Sequence, residues 1–302
     1  MRISLKVDVD TLRGTLEGVP RLVSLFQKHQ VNACFLFSLG PDNTGRALKR
    51  IFRPGFLQKV MRTSVTSNYG IKTLMYGVLI PGPHIGRRAG YIMRETRQQG
   101  FEVGIHTYDH IRWQDHVARK DAAWTRHEMD KAWQAYQEVF NEPPSTWGSA
   151  GWQINPFALE VQDAWGLVYA SDARGTHPFL PRMGERDFST PQLPGTLPTL
   201  DELIGCDGIT DATVHEVLLE QSLEAANPDA GHVFTLHAEL EGMAYPDVMD
   251  RLLTTWKQRG CQIGSTHDLF ETLDRSSLPR HEIIMGEIAG RSGTLALQGT
   301  AV

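Results

Sequence analysis

Residues 3–10 of the chain are Ile-Ser-Leu-Lys-Val-Asp-Val-Asp, and their apolar and polar side chains alternate. Alternation with a period of two predicts a β-strand, because successive side chains of a strand point to opposite faces. Asp8 and Asp10 therefore share one face, just before Thr11-Leu12-Arg13-Gly14. Two neighbouring carboxylates repel each other unless a cation or a proton lies between them. The pair indicates either a cation site with a free base beside it or two solvated acids at a strand end.

Two further apolar runs end in histidines. Residues 101–105, Phe-Glu-Val-Gly-Ile, precede His106-Thr107-Tyr108-Asp109-His110, which places two imidazoles four residues apart after a predicted strand. The run Phe234-Thr235-Leu236 precedes His237. Such spacing is weak evidence when it is taken alone, because a chain with 12 histidines contains similar pairs by chance. Taken alone, each histidine is more typical of a side chain without a catalytic or metal-binding role.

The composition is that of a globular protein. A chain of 302 residues with 41% hydrophobic content buries a large core, as one barrel or as two smaller domains, and contains no Pro/Ser/Gly-rich linker. Its cysteines, Cys34, Cys206 and Cys261, are odd in number and form no CxxC pair, which predicts a reducing compartment. The first residues lack the apolar core of a signal peptide, and no run of eighteen apolar residues occurs. We therefore expect a cytoplasmic protein that does not span a membrane.

Predicted helices and strands alternate along the chain. The helices are 18–29, 85–99, 121–140, 156–165, 212–226 and 246–259, and the further strands are 33–39, 101–105, 167–170, 232–236 and 261–265. This alternation predicts a parallel α/β barrel or sheet. In such folds the chemistry lies at the carboxyl ends of the strands. The residues that fall there are Asp8, Asp10, His106, His110, Asp172 and His237.

The charge is distributed unevenly. The net charge is −5, which argues against nucleic-acid binding, yet no acid occurs between Asp42 and Glu95, where ten basic residues lie. Apolar residues interleave with these cations, so we predict that residues 43–90 form a basic amphipathic insertion after the second strand. Its contacts with an anionic membrane would come from Arg50, Arg53, Lys59 and Arg62. An ordinary helix with a solvated basic face has the same composition.

The motifs Val7–Asp10, His106–His110 and Phe234–His237 together resemble, in order and spacing, the NodB-type polysaccharide deacetylases of carbohydrate esterase family 4. The resemblance covers residues 2–265 and implies a metal-dependent amidohydrolase with a distorted (β/α) barrel. It implies that Asp10, His106 and His110 bind one divalent metal ion, for which this ligand set allows Zn, Mn, Co or Fe. It also implies that Asp8 is the general base and His237 the general acid. No role is predicted for the Gly-, Ser- and Ala-rich tail, residues 275–302.

Further stretches strengthen the resemblance to one branch of this family. They are Gly40-Pro41-Asp42-Asn43, Ser149-Ala150-Gly151-Trp152, Ser171-Asp172-Ala173-Arg174-Gly175 and His237-Ala238-Glu239-Leu240-Glu241-Gly242. Members of that branch remove a formyl group from formamido-arabinose linked to undecaprenyl phosphate, a step in the modification of lipid A that weakens polymyxin binding. The resemblance therefore implies this lipid-linked substrate and peripheral attachment to the inner face of the bacterial inner membrane.

One position departs from the family pattern. Where the third motif commonly has an arginine near the base, this chain has Gln153. Either Arg174 replaces that arginine, or Asp8 is less tightly held. We further predict that Asp172 orients His237 and keeps it protonated. The remaining candidates for substrate or supporting contacts are Trp152, Tyr108 and Glu239, although a plain core role is as well supported for Trp152 and Tyr108.

Two other functions fit parts of the sequence. A deacetylase of another N-acylated saccharide would share every metal and catalytic residue. A barrel without catalysis would serve as a basic membrane- or RNA-binding scaffold through residues 43–94. The intact set of Asp8, Asp10, His106, His110 and His237 argues against the scaffold, and the basic insertion argues against a soluble saccharide.

Overall fold

The computed structural model describes residues 1–47, 71–223 and 231–302. In chain order the strands are β1 (Arg2–Val9), β2 (Cys34–Ser38), β3 (Glu102–Thr107), β4 (Thr146–Trp147), β5 (Tyr169–Ala170), β6 (Leu180–Met183), β7 (Arg186–Asp187), β8 (His232–His237), β9 (Gln262–Ser265), β10 (Arg280–Gly286) and β11 (Leu295–Ala301). The helices are α1 (Val19–His29), α2 (Ile71–Met75), α3 (Ile85–Gln98), α4 (His110–His116), α5 (Ala122–Phe140), α6 (Pro156–Trp165), α7 (Leu200–Leu203), α8 (Val214–Leu223), α9 (Pro246–Gln258) and α10 (Thr266–Phe270). Short π-helical turns span Gly14–Gly18 and Leu240–Ala244.

The main sheet is parallel and has β1 near its centre. Within the described residues its order is β5-β4-β3-β2-β1-β8, and β9 also pairs with β1. Asp8 lies opposite Leu36 of β2 and His237 of β8. The prediction of a parallel α/β sheet is therefore confirmed. The register brings Asp8 and His237 to the same carboxyl edge of the sheet.

The two faces of β1 meet different surroundings. The apolar residues Ile3, Leu5, Val7 and Val9 are fully buried and belong to the main hydrophobic core. The alternate residues Ser4, Lys6 and Asp8 are also buried, although they are polar. A strand that is buried on both sides is typical of a parallel sheet whose outer face is covered by helices. The polar face of β1 therefore lies inside the barrel.

An irregular segment closes the barrel between β5 and β8. Ala170 donates its backbone N–H to Pro191 and accepts that of Leu193, while the N–H of Thr196 donates to the carbonyl of Val233. Proline-rich backbone cannot donate a full ladder of hydrogen bonds, so this closure consists of isolated pairs. The barrel is consequently distorted on this side.

Residues 275–302, for which the sequence predicts no role, fold onto the barrel. Strands β10 and β11 form an antiparallel hairpin, and β10 also pairs in parallel with β6, which pairs with β7. Arg174 joins this second sheet to the barrel, because its backbone N–H donates to Ala296 and its carbonyl accepts from Gln298. We call β10, β11 and the loop between them the C-terminal hairpin.

Helix ends differ slightly from the predicted ones, and the caps explain why. Asp121 precedes α5 and accepts the N–H of Trp124, so it is the N-cap and not the first helical residue. Asn155 caps α6 in the same way before Pro156, and Gly166 ends that helix in a left-handed conformation. The predicted helix 212–226 is observed as α8, and residues 224–230 lie outside the described chain.

The predicted insertion 43–90 is described only in part. Its four predicted membrane contacts, Arg50, Arg53, Lys59 and Arg62, lie outside the described residues. In the described part, α2 is followed by a turn in which Val78 and Leu79 are 51% and 73% exposed. In the ranges that the structure describes, no helix combines the length and apolar character needed to cross a bilayer.

Candidate active site

The three predicted metal ligands converge at the carboxyl edge of the sheet. Asp10 follows β1, His106 lies in β3, and His110 is the first residue of α4. The Oδ1 atom of Asp10 lies 3.3 Å from Nε2 of His106 and 3.4 Å from Nε2 of His110. The potential ligand atoms of the three residues all lie within 4.8 Å of one another, and no other such group occurs among the described residues.

A β-bulge turns His106 into this cluster. Phe37 of β2 pairs with Ile105, but the next residue, Ser38, pairs with Thr107, so His106 is an extra residue in β3. Bulges re-aim side chains and are common beside active sites. Thr107, which follows the bulge, has φ of +140°, a strained value for a β-branched residue. The carbonyl of Thr107 accepts the backbone N–H of Leu39 at 3.1 Å, which holds this residue in place.

The chemistry of the donor set fits a divalent metal ion. Zinc and similar ions lie about 2.0–2.2 Å from nitrogen and oxygen ligands, so two ligands of one ion are roughly 3.0–3.5 Å apart. Both distances from Asp10 fall in that range. Oδ1 of Asp10 is buried and has no hydrogen-bond partner among the described residues. A buried carboxylate oxygen that receives no hydrogen bond is the arrangement expected of a metal ligand.

The electrostatics of the cluster favour a cation. Burial by itself would raise the pKa of Asp10, but the nearby His110 and His106 outweigh burial and hold that pKa below its ordinary value. Burial likewise opposes protonation of His106, but Asp8 and Asp10 outweigh it and raise the pKa of His106. A proton on His106 must leave before that nitrogen binds a metal ion, so metal affinity should fall as the pH is lowered.

Asp8 and His237 flank the ligand cluster. Asp8 is 3% exposed, and its Oδ1 atom lies 3.8 Å from Nδ1 of His106. His237 ends β8, and its backbone N–H donates to Oε2 of Glu241 at 2.8 Å. Nδ1 of His237 is buried and, like Oδ1 of Asp8, has no hydrogen-bond partner in the described part of the chain. The sheet register thus places a carboxylate and an imidazole, each with one such atom, side by side at the ligand cluster.

Lys6 is a site residue that the sequence analysis missed. Its Nζ atom lies 3.4 Å from Oδ2 of Asp8, and the side chain is 1% exposed. Nζ also lies 3.4 Å from the carbonyl oxygen of Ser171, at the end of β5. The signal was present in the alternation of β1, because Lys6 precedes Asp8 by two residues and shares its face.

Glu239 holds the loop that carries Asp10. Its Oε1 atom accepts hydrogen bonds from the N–H of Asp10 (3.1 Å), the N–H of Thr11 (2.9 Å) and the hydroxyl of Thr11 (2.7 Å). Burial and the charge of Asp10 raise the pKa of Glu239 well above its ordinary value. A Cβ atom on Gly14 would lie 2.0 Å from Oε1 of Glu239, so a glycine is required at that position. Glu239 therefore supports the metal-ligand loop.

Asp172 has partners other than the predicted one. We expected it to orient His237, but its carboxylate accepts hydrogen bonds from the N–H of Ser149 and from the side-chain amides of Gln162 and Gln192. These contacts use both of its oxygens, and burial raises its pKa. Asp172 thus ties the end of β4 to α6 and to the segment that closes the barrel. The prediction failed because the location of Asp172 at the end of a strand does not determine the direction in which its side chain points.

Arg174 does not replace the missing arginine. Its guanidinium binds Glu202 through two hydrogen bonds of 2.8 and 2.9 Å and also donates to the carbonyls of Gly195 and Leu197. Gln153 donates its side-chain amide to the carbonyl of Thr294 in the C-terminal hairpin. Both residues are therefore engaged away from Asp8.

Trp152 and Tyr108 lie in different surroundings. Trp152 is 2% exposed and has φ of +53°, and its Nε1 has no hydrogen-bond partner among the described residues. Its ring is surrounded by cations, since Nζ of Lys6 and Cζ of Arg291 lie 5.2 and 4.5 Å from the ring centroid. Tyr108 is only partly buried, and Nζ of Lys131 lies 4.5 Å from its ring centroid.

Comparison with known proteins identifies the class of protein that this fold and this cluster define. The chain belongs to the polysaccharide deacetylase family, whose sequence profile matches residues 4–170. It is therefore a metal-dependent hydrolase of the kind that cleaves amide C–N bonds.

More specifically, the chain is similar to the probable 4-deoxy-4-formamido-L-arabinose-phosphoundecaprenol deformylase ArnD of Shewanella sediminis. The two are 36% identical over 303 aligned residues, which cover 100% of this chain and 96% of that protein. The probable ArnD deformylase of Wigglesworthia glossinidia brevipalpis is 29% identical over 286 residues, 94% of this chain and 98% of that one.

A solved structure supports the fold assignment. A putative polysaccharide deacetylase from Mycobacterium smegmatis aligns with a TM-score of 0.64, covering 95% of this chain and 94% of that one. Sequence identity is 16%, so this likeness concerns the fold alone.

Proposed function

We propose that the chain hydrolyses the formamide of 4-deoxy-4-formamido-L-arabinose linked to undecaprenyl phosphate, which releases formate and leaves the 4-amino sugar on the lipid. The observation that carries the reaction is the convergence of three ligand side chains with Asp8 and His237 at one strand edge. The likeness to two deformylases over almost the whole chain supports the substrate. The product would then serve the modification of lipid A that lowers its negative charge and weakens polymyxin binding.

The side chains have distinct tasks in this reaction. Asp10, His106 and His110 would hold the divalent ion. When bound, such an ion supplies Lewis acidity, which makes water more acidic and polarises a carbonyl group. Asp8 accepts the proton of the attacking water at its carboxylate, and His237 donates a proton to the amine nitrogen as the C–N bond breaks.

The division of labour between Asp8 and Asp10 follows from their surroundings. Oδ1 of Asp10 faces two imidazole nitrogens at 3.3 and 3.4 Å, as a ligand should. Asp8 stands further from the imidazoles, with Oδ1 at 3.8 Å from Nδ1 of His106, and its other oxygen, Oδ2, lies 3.4 Å from Nζ of Lys6. A carboxylate with a free oxygen beside the ligand cluster is suited to take up a proton.

A direct assay of formate release tests the reaction. The metal-loaded protein should release formate from the formamido-arabinose lipid, while the chelated protein and the Asp8→Asn, His106→Ala and His237→Ala variants should lose most of this activity. His281→Ala removes a histidine of β10 that lies outside the cluster and serves as the matched control. Undiminished turnover in the three site variants would refute the mechanism.

The same assay separates the second candidate function. A deacetylase of another N-acylated saccharide would use the same side chains. If an N-acetyl saccharide is hydrolysed as fast as the formamido lipid, the proposed substrate is wrong and the reaction class stands.

We also propose that the protein acts while attached peripherally to the cytoplasmic face of the inner membrane. The acid-free basic segment and the exposed Val78 and Leu79 within it support this attachment. Replacement of Arg50, Arg53, Lys59 and Arg62 by Ala should reduce sedimentation with vesicles that contain anionic lipid, and so should high salt. Vesicles of neutral lipid are the control, and equal binding by the variant and the original protein would exclude this segment as the anchor.

A further inference from the structure

We propose that Lys6 is the positioning residue for Asp8: it holds one carboxylate oxygen and leaves the other facing the ligand cluster. The inference rests on the proposed function, in which Asp8 is the general base. It concerns the question that the sequence left open, namely which side chain holds Asp8 in the absence of an arginine at position 153.

The contact between Lys6 and Asp8 is a fully buried ion pair. Nζ of Lys6 lies 3.4 Å from Oδ2 of Asp8, and the two side chains are 1% and 5% exposed. Removal of an ammonium group from water costs several kcal/mol unless a partner compensates for it, so a buried lysine needs such a partner. The carbonyl of Ser171, at 3.4 Å, accepts a hydrogen bond from Nζ. Lys6 is thus fixed between the end of β5 and Asp8.

No other lysine or arginine in the described ranges forms an ion pair with Asp8. The other cations around Trp152, Arg174 and Arg291, both bind Glu202, at 2.8 and 3.2 Å. Gln153 is uncharged and donates to Thr294. The role that an arginine of the third motif would fill therefore falls to a side chain of β1.

The end of β4 leaves room for this lysine. A Cβ atom built on Gly148 would lie 3.7 Å from Nζ of Lys6 and only 2.5 Å from Cδ1 of Leu36. The glycine is therefore required by the contact with Leu36, and a Cβ at this position would be in ordinary contact with the ammonium group of Lys6.

This arrangement determines which oxygen of Asp8 reacts. Lys6 binds Oδ2, whereas Oδ1 faces Nδ1 of His106 at 3.8 Å and has no hydrogen bond from the described residues. Lys6 and Asp8 lie two residues apart on one strand, so their backbone atoms keep a fixed separation. Of the two oxygens of Asp8, Oδ1 is the one that Lys6 leaves free to accept the proton.

The first test compares Lys6→Met with the parent protein. Methionine is of similar length and uncharged, so kcat for formate release should fall by about 10- to 100-fold, the range seen when support of a site residue is lost. KM and bound metal per chain should change less than about twofold, because Lys6 contacts neither the ligands nor, in this proposal, the substrate. Lys28→Met is the matched control, since Lys28 forms an exposed ion pair with Asp250 on the outer helices. An unchanged kcat in Lys6→Met would overturn the proposal.

A double-mutant cycle distinguishes positioning from a general structural role. In an Asp8→Asn background, Lys6→Met should lower kcat no further, because the base that Lys6 holds is already absent. A further loss equal to that in the parent would show that Lys6 acts elsewhere and would overturn the proposal. Full activity of Asp8→Asn itself would instead refute the proposed function, so the two failures are distinguishable.

A second pair of variants covers the case in which Lys6→Met does not fold. Lys6→Arg and Lys6→Gln both keep a donor for Ser171, but only arginine keeps the charge. Lys6→Arg should retain a kcat at least about tenfold above that of Lys6→Gln. Equal kcat values for two folded variants would overturn the proposal.

Discussion

Glu239→Ala offers a quantitative test of how the metal-ligand loop is supported. In the structure a single atom, Oε1 of Glu239, accepts three buried hydrogen bonds, from the N–H of Asp10 and from the N–H and hydroxyl of Thr11. Truncation to alanine removes the acceptor of all three hydrogen bonds at once and leaves a cavity at a residue that is 1% exposed. The substitution therefore leaves the donors unpaired and changes no ligand.

The expected magnitude follows from these contacts. A buried donor that loses its partner costs about 1–3 kcal/mol. The hydroxyl of Thr11 can rotate to another acceptor, so we count chiefly the two N–H groups and expect a loss of about 3–6 kcal/mol with the cavity included. Metal affinity should fall by about 10- to 100-fold, because supporting residues orient the ligands.

The assays are urea unfolding of the metal-free protein and calorimetric titration with a divalent ion. Glu239→Gln is the matched control: burial and Asp10 favour the protonated form of Glu239, which glutamine resembles, and glutamine keeps the acceptor oxygen. Its cost should stay below about 1 kcal/mol. If alanine costs less than about 1 kcal/mol, or if glutamine is as harmful as alanine, the reasoning about this loop is refuted.

Three further predictions concern residues around the site. Burial raises the pKa of Glu241 from 4.5 to about 8, so its protonated form stabilises the metal-free fold fully below pH 4.5, and this contribution is lost as the pH rises through 8. As the pH rises from 4.5 to 8, the free energy of unfolding of Glu241→Gln should therefore increase by about 2–4 kcal/mol relative to that of the parent. Urea unfolding at a series of pH values measures this difference, and parallel curves for the two proteins would contradict the prediction. Gly18→Ala should cost about 1–3 kcal/mol or more, since the new Cβ would lie 2.1 Å from the carbonyl oxygen of Ala238; an unchanged unfolding midpoint would exclude the clash. Arg291→Ala should lower stability by about 1–2 kcal/mol through lost contact with Trp152, measured by thermal unfolding, and no change would mean that the hairpin is held by its backbone alone.

The order of the main elements was predictable because each carries its own local pattern. Alternation in residues 3–10 indicates β1, and helical periodicity with clear caps indicates α5 and α6. The C-terminal hairpin was not predictable in this way. Its strand β10 pairs with β6, which lies about a hundred residues earlier, and no local signal reports a partner at that distance.

The sequence predicted those residues of the candidate site that meet simply because each lies at the end of its strand. Asp10, His106 and His110 meet because parallel strands end at one edge. The partner expected for Asp172 was wrong because its side chain turns toward Gln162 and Gln192, which only tertiary packing determines. Lys6 was missed for another reason: lysines in strands are usually solvent-exposed, and burial of this one is visible only after the barrel has closed.

The central position of β1 also governs when the protein can become functional during synthesis. β1 is the first strand made, yet one of its edges pairs only with β8, which starts at His232, and the Asp10 loop needs Glu239. At about 5–20 residues per second, translation of the intervening chain takes roughly 10–45 s, during which β1 is an open edge strand. A nascent chain that stops before residue 239 lacks the side chain that holds the Asp10 loop, so the candidate ion site gains this support only after β8 has been made.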